Sequence, residues 1–178
     1  MLEQKSETGE IDLYYGDETR ISEEGYVPYG WQFKDENIAE KSSRRSHINC
    51  FGIITRSNKF IYQTTKETIA ADFIIEQLDM FSWTIKKHTV IVLDNAKVHR
   101  CHKVKMMQKV WAKRKLFIFF LPPYSPQLNI IERLWKEIKA RWISVKDYEN
   151  QQQLFYTVEL ILKAIGHSLK LYFKPMKL

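Results

Sequence analysis

The sequence predicts an α/β fold, built as a mixed sheet with helices on its faces. Two β-rich runs, at 47–55 and 59–65, are joined by three residues and indicate a hairpin. Later in the chain, short apolar runs alternate with segments whose apolar residues recur at helical spacing. A hairpin followed by alternating strands and helices is the order expected for a mixed sheet.

The first part of the chain predicts a further strand, a loop and a helix. Residues 11–21 alternate with a period of two, which is typical of a strand. The polar segment 35–46 predicts a loop. Residues 66–82 carry apolar side chains at roughly helical spacing, with Thr65 or Thr68 as the expected N-cap.

The second part predicts two buried strands and three helices. Its strands are continuous apolar runs, which suit positions covered on both faces of a sheet. The turn PPYSP precedes the clearest helix, because its prolines forbid helix and ladder hydrogen bonds. These elements are strands over 89–94 and 116–121 and helices over 97–114, 127–142 and 147–165.

Length and composition limit the class of protein. With 178 residues and 44% hydrophobic side chains, the chain can bury a core without disulfides. We expect one domain over 1–145 and a C-terminal helical tail over 146–178 that packs on it. Two distant cysteines exclude a secreted disulfide scaffold and favour a reducing compartment. The apolar runs are too short to span a membrane, and the N-terminus lacks the apolar core of a signal peptide.

The charge is unevenly distributed along the chain. The net charge is +7, with −6 over residues 1–24 and +12 over residues 97–178. So basic a C-terminal half favours a polyanionic partner, and nucleic acid is the first candidate. A solubilising surface is the alternative.

Three acidic residues occupy positions where chemistry is expected. Asp17 closes the first strand, Asp94 follows the apolar run that begins at residue 89, and Glu132 lies beside a helical apolar stripe. Ligands of α/β sheets bind at the carboxyl ends of strands. Each of two acids also has a simpler interpretation than chemistry. Asp94 could be a turn or helix-capping residue, and Glu132 could form an ordinary ion pair with Lys136 on a helix surface.

Three strings in order resemble the catalytic core of DDE transposases. The strings are YYGDETRI with a following GYVPYGW, then IVLDNAKVH, then FLPPYSPQLNIIERLWKEIK. The resemblance is closest to mariner-like elements and their bacterial insertion-sequence relatives, and it covers roughly residues 10–145, with LYFKP similar to the usual ending. The 37 residues between Asp94 and Glu132 are similar to the family's spacing. Ile130 departs from it, standing where relatives usually have proline.

The resemblance implies an RNase H-like mixed five-stranded sheet flanked by helices, with Asp17, Asp94 and Glu132 as catalytic and metal-binding residues. The resemblance makes Asp17, and not Glu18, the first acid. Because neighbouring strand residues point to opposite faces, only one of these two can enter the site. Converging carboxylates repel one another unless cations compensate, and all-oxygen ligands select Mg²⁺, with Mn²⁺ as a substitute. Two ions per active site are expected.

The implied enzyme is a Mg²⁺-dependent polynucleotidyl transferase. It hydrolyses DNA at transposon ends and then uses the 3′-OH to attack target DNA. The expected DNA contacts are Lys97, His99, Arg100, Lys103, Tyr124, Asn129, Arg133 and Lys136.

Several of these contacts have alternatives. The basic run that begins at Lys97 also fits a solvated helix face, and Tyr124 also fits turn packing. His99 also fits a residue that steadies Asp94, or an ordinary polar residue at a helix start. A zinc site at His99, Cys101 and His102 lacks suitable ligand spacing.

The resemblance also implies a homodimer in the active complex and an upstream helix-turn-helix region that this chain does not contain. An excised domain, a split-frame product and a degenerate copy all explain that absence. A bacterial source predicts a cytoplasmic, nucleoid-associated protein. Two alternative functions stay open: another RNase H-like nuclease, and a catalytically inactive DNA-binding fragment.

Overall fold

Five strands form one mixed sheet in the computed structural model, which describes residues 1–23 and 46–173. The order across the sheet is β3-β2-β1-β4-β5. The first three strands are antiparallel neighbours, whereas β4 runs parallel to β1 and β5 parallel to β4. The strands are β1 (Asp12–Ser22), β2 (His47–Ile54), β3 (Phe60–Thr65), β4 (Thr89–Leu93) and β5 (Leu116–Phe120). All five were predicted, and the mixed sheet is confirmed.

Five α-helices accompany the sheet. They are α1 (Leu2–Glu7), α2 (Ala71–Ser82), α3 (His102–Lys113), α4 (Ile130–Glu137) and α5 (Gln151–Ala164). A π-helical turn, Ile138–Trp142, continues α4, and 3₁₀ turns occupy Pro126–Leu128 and Val145–Glu149. In the described part of the chain, no helix has the length and apolar character needed to cross a bilayer.

Several predicted boundaries were wrong. Helix α1 was not predicted, because its six residues contribute no fully buried side chain and so show no apolar stripe. Helix α2 begins after Ala70, so neither Thr65 nor Thr68 caps it. Helix α3 begins at His102, because residues before it fold into a turn in which the Ala96 N–H donates to Asp94 Oδ1 at 3.0 Å. The string GYVPYGW and all but the last residue of the predicted loop 35–46 lie outside the described residues, as does the end of LYFKP.

Helices cover both faces of the sheet. Odd-numbered side chains of β1, such as Tyr15 and Ile21, point towards α1 and α4, and Tyr14 points towards α2 and α3. Helix α5 packs in the same core cluster as α4. Its buried side chains there are Leu154, Val158, Ile161 and Leu162, beside Ile131, Leu134 and Trp135 of α4. The sheet is therefore sandwiched between apolar layers, as its continuous hydrophobic strands require.

Parallel pairing of the two central strands sets the position of the first two acids. Tyr15 of β1 lies opposite Val92 of β4, and Asp17 and Asp94 each follow two residues later. Asp17 therefore lies next to the carboxyl end of β4, where Asp94 follows. Asp17 does not close β1, as the sequence suggested, because β1 continues to Ser22 in its pairing with β2. Gly16 permits the close approach there, because a Cβ at this position would come within 2.8 Å of a Leu93 methyl group.

A buried side-chain clamp joins the C-terminal segment to the β2–β3 turn. Asn58 has a φ of 66°, its Nδ2 donates to Leu171 O at 2.9 Å, and Leu171 N donates to its Oδ1 at 2.7 Å. We predict that Asn58→Gly, which tolerates this backbone conformation, lowers the free energy of unfolding by about 1–3 kcal/mol through the lost hydrogen bonds. Asn58→Ala should cost about 1 kcal/mol more, because alanine resists the left-handed region.

Urea unfolding of the three proteins measures both terms. Ser57→Ala, at the neighbouring position, is the control and should stay close to wild type. An Asn58→Gly variant as stable as the wild type would show that the clamp does not hold the segment.

Candidate active site

The first two acids differ in exposure. Asp17 is 8% exposed and points to the face of the sheet that α4 covers. Asp94 follows the last residue of β4, and its side chain is 43% exposed. A buried acid beside an accessible one gives an edge where a ligand can reach one carboxylate from solvent and the other only by binding deeply.

The third acid comes from the first turn of α4. Glu132 forms a side-chain hydrogen bond with Asp17. Burial raises the pKa of Glu132, repulsion by Asp94 adds to this, and the hydrogen bond to Asp17 partly offsets it. The predicted Glu132–Lys136 ion pair is not among the ion pairs of residues 1–23 and 46–173. Glu132 therefore lies near enough to the other two predicted acids for their charges to influence one another.

Asp17 has the most strongly raised pKa of the three acids. Burial raises its pKa from 3.8 to about 8, and the negative charges of Glu18, Glu132 and Asp94 contribute further. A carboxyl group with such a pKa holds a proton at neutral pH. A divalent cation bound beside Asp17 would offset these negative charges and displace that proton.

The donor set suits a hard divalent cation, although it is not arranged as a closed cage. Among the described residues, no three His, Cys, Asp or Glu side chains are close enough together to hold one metal ion. Asp94 Oδ1 accepts hydrogen bonds from His99 and from the Ala96 N–H. All three candidate ligands are carboxylates whose mutual repulsion a divalent ion would relieve, so their chemistry fits Mg²⁺ or Mn²⁺.

His99 corrects one predicted DNA contact. Its side chain is fully buried, so DNA cannot reach it. Nδ1 donates to Asp94 Oδ1 at 2.6 Å, and Nε2 lies 3.0 Å from Glu18 Oε2. Burial opposes the imidazolium, but these two acids outweigh burial and raise the pKa of His99 to about 9. The hydrogen bond from His99 in turn lowers the pKa of Asp94. The alternative in which His99 steadies the second acid matches these contacts.

Asn129 corrects a second predicted contact. It is 2% exposed, and its Nδ2 donates to Gly16 O at 3.0 Å. Its extended backbone ends the preceding 3₁₀ turn, which is why α4 begins at Ile130 and not at 127. Asn129 therefore ties the start of α4 to β1, one residue from Asp17, and has no surface to offer DNA.

The exposed candidates line two adjoining grooves that share Glu132. Lys97 and Tyr124 lie in the groove that also contains Asp94, and Tyr124 is fully exposed with a φ of 57°. Arg133 and Lys136 line the second groove. Glu132 thus stands between an aromatic side and a basic side.

Arg100 and Lys103 are exposed but have protein partners. Arg100 donates to Asn95 Oδ1 at 2.6 Å, and Lys103 pairs with Asp72 at 2.7 Å. No zinc site forms around His99 in the parts of the chain that the structure describes.

Lys139 is a site residue that the sequence interpretation missed. It lines the second groove from the π-helical turn, and burial lowers its pKa, while the charges of Glu132 and Asp17 oppose that effect. The available signal was its spacing, because residues seven apart lie on one face of a helix. A half-buried lysine beside the acids is a cation available to a phosphate.

Sequence comparison decides the family. A profile described as DDE superfamily endonuclease matches residues 12–155 and so includes all three acids. The chain belongs to this family. The membership that the motifs predicted is therefore confirmed, and membership indicates nuclease or nucleotidyl-transfer chemistry.

A curated relative of this DDE chain covers a shorter stretch. Over 66 residues the chain is 35% identical to "Uncharacterized protein y4pE/y4sA" of Sinorhizobium fredii (strain NBRC 101917 / NGR234). The match covers 35% of this chain and 44% of that protein. The chain thus spans under half of the relative's length.

Solved structures with a similar fold are integrases and a mariner transposase. The simian T-cell lymphotropic virus intasome in complex with PP2A regulatory subunit B56 gamma has a TM-score of 0.60 at 13% identity, over 93% of this chain and 55% of that one. The Mos1 mariner paired end complex with Mn has a TM-score of 0.60 at 14% identity, and the match covers 92% of this chain and 51% of that one. The catalytic core of BIV integrase has a TM-score of 0.51 at 14% identity, and the match covers 85% of this chain and 81% of that one. The predicted RNase H-like fold is confirmed.

The raised pKa of Asp17 makes stability depend on pH. Between pH 4 and 8 the folded chain keeps a proton that the unfolded chain releases near pH 3.8, so this group's contribution to stability is full below pH 3.8 and is lost as pH rises towards 8. We predict that Asp17→Asn, in metal-free buffer at pH 8, raises the melting temperature by on the order of 5 °C. The gain should shrink towards pH 4. Melting curves across this range measure it, and a gain that does not change with pH would contradict it.

Proposed function

We propose that this chain is the catalytic domain of a DNA transposase. It hydrolyses a phosphodiester at a transposon end and joins the released 3′ end to target DNA. The observation that carries the proposal is the meeting of Asp17, Asp94 and Glu132, from β1, β4 and α4, at one edge of an RNase H-like sheet. Structures of similar fold include a Mos1 strand transfer complex and a Mos1 paired-end complex with the left transposon end.

The proposed cofactor is Mg²⁺, with Mn²⁺ able to replace it, and two ions serve each active site. Asp17, Asp94 and Glu132 would hold the ions. Bound metal would lower the pKa of the attacking water and offset negative charge on the leaving 3′ oxygen. Mos1 paired end complexes with Mn and with Mg have the same fold.

The side chains prepare this site in two different ways. Asp94 is kept ionised by its hydrogen bonds from His99 and from Ala96 N–H, so it is ready to bind a cation at neutral pH. Burial and the neighbouring acids raise the pKa of Asp17 to about 8, so cation binding at Asp17 must displace a proton. Metal affinity should therefore rise with pH over the range in which Asp17 titrates.

The two grooves define the proposed path of the DNA. Arg133, Lys136 and Lys139 line one side of Glu132 and supply cations for backbone phosphates. On the other side, exposed Tyr124 can stack on a base, and Lys97 faces the same groove. The scissile phosphate would lie over Glu132, with Arg100 and Lys103 extending the basic surface. A homodimer on paired ends, with an upstream helix-turn-helix region for end recognition, completes the proposed active complex.

Asp94→Asn tests the proposed chemistry. Asparagine has the shape of aspartate but lacks the charge that holds two divalent ions. We predict that plasmid nicking in Mg²⁺ falls more than about a hundredfold. DNA affinity should hold or rise, because a negative charge leaves a surface that faces phosphates, and the melting temperature should stay near that of the wild type.

The matched control is Asp12→Asn. The Asp12 side chain is as exposed as that of Asp94, at 44% against 43%, but it pairs with Lys87 at the opposite end of β1. Nicking by this control should equal that of the wild type. Wild-type nicking by the Asp94→Asn variant would remove Asp94 from the mechanism and defeat the proposal.

A further inference from the structure

Two neighbouring acids in the middle of β1, Asp17 and Glu18, point to opposite faces of the sheet. Asp17 points towards α4 and joins Glu132. Glu18 points to the face that α2 and α3 cover, where its carboxylate lies beside the ring of His99. The alternation of side chains along a strand makes it impossible for both acids to enter the same site. The role of Glu18 must therefore differ from that of Asp17, because its side chain does not enter the same site.

The contacts of His99 join Glu18 to the second acid. His99 Nδ1 donates to Asp94 Oδ1 at 2.6 Å, and Nε2 lies 3.0 Å from Glu18 Oε2. The second contact is a close approach of the ring to a carboxylate, and neither atom has another hydrogen-bond partner among the described residues. The ring is thus held between two carboxylates from two strands.

We propose that Glu18 is a positioning residue, which fixes the Asp94 carboxylate through the buried ring of His99. The inference rests on the proposed function, since it explains how that active site is kept in place. Both hydrogen bonds that described residues make to the Asp94 carboxylate end on Oδ1. Oδ2 is therefore the oxygen presented to the groove, and the position of the ring decides its direction.

Geometry favours positioning over two simpler roles. A direct metal ligand must share the face of Asp17 and Glu132, and Glu18 lies on the other face. A purely structural role for Glu18 and His99 is also disfavoured. A buried charged group adds little stability over an apolar side chain of similar size, so stability alone does not explain an imidazole between two acids. A residue behind a metal ligand has a different value: it holds the ligand in one orientation, and its loss costs about 10–100-fold in metal affinity or activity.

The test measures Mn²⁺ binding without DNA, from the loss of the free-ion electron paramagnetic resonance signal. We expect Glu18→Ala to weaken Mn²⁺ binding about 10–100-fold, with a melting temperature near that of the wild type. Glu18→Gln keeps an oxygen at the same reach and should recover most of the affinity. Asp12→Ala removes an acid from the same face of the same strand and should bind like the wild type. Plasmid nicking should follow the same order.

Two further variants keep the proposal open to refutation. His99→Gln should weaken Mn²⁺ binding as much as Glu18→Ala does. The double variant should lose no more Mn²⁺ affinity than the single variant with the larger loss, because both substitutions act on Asp94 through the same contacts. If the Glu18→Ala variant fails to fold, Glu18→Asp serves instead, since the shorter side chain withdraws from the ring and should also lose affinity.

Three results overturn the proposal. The first is wild-type Mn²⁺ affinity in both Glu18→Ala and Glu18→Asp. The second is a loss in Glu18→Gln as large as that in Asp17→Asn, which makes Glu18 a ligand. The third is multiplication of the separate losses in the double variant. A wild-type chain that binds Mn²⁺ but nicks no DNA defeats the transposase proposal alone, because the Mn²⁺ series still decides the role of Glu18.

Discussion

Repulsion among Asp17, Asp94 and Glu132 is the constraint on which the rest of the site depends. Left to themselves, these carboxylates would separate or stay protonated. The parallel pairing of β1 with β4 brings the first two to one edge of the sheet, and the Asn129–Gly16 hydrogen bond holds α4 beside them. The apolar layers on both faces keep the strands and the helix from moving apart.

The three acids differ in how their surroundings change their pKa values. Asp17 and Glu132 keep raised pKa values and share a hydrogen bond, whereas Asp94 is held ionised by His99. Because the acids are unequal, the site combines an ionised Asp94 carboxylate with a buried Asp17 carboxyl group that a cation must deprotonate. The same arrangement lowers the stability of the metal-free chain at alkaline pH.

Much of this arrangement was predictable from sequence because its signals are local. All five strands were predicted, since continuous apolar runs mark central strands, and the three acids were chosen because they stand within family motifs. The burial of His99 and Asn129 was not predictable, because it depends on contacts with Glu18 and Gly16 from a distant strand. Polar residues beside an active site look alike in sequence, whether they face DNA or support a ligand from behind.

The same limit explains the missed elements. Helix α1 is held by Glu3, which contacts Tyr15 and pairs with Arg56 at 2.7 Å, and no periodicity reports such a contact. Lys139 lies near the acids because α4 continues into a π-helical turn, and the apolar spacing of the sequence does not predict that turn. The domain division at residue 145 stays a prediction, although α5 shares its core with α4.

Anomalous scattering from crystals soaked in Mn²⁺ tests most directly whether the three acids form one cation site. The expected result is anomalous density between the carboxylates of Asp17 and Asp94, with Glu132 completing the contacts, and none in crystals of the Asp94→Asn variant. Mn²⁺ bound elsewhere on the chain, with the three carboxylates unoccupied at saturating concentration, would contradict it.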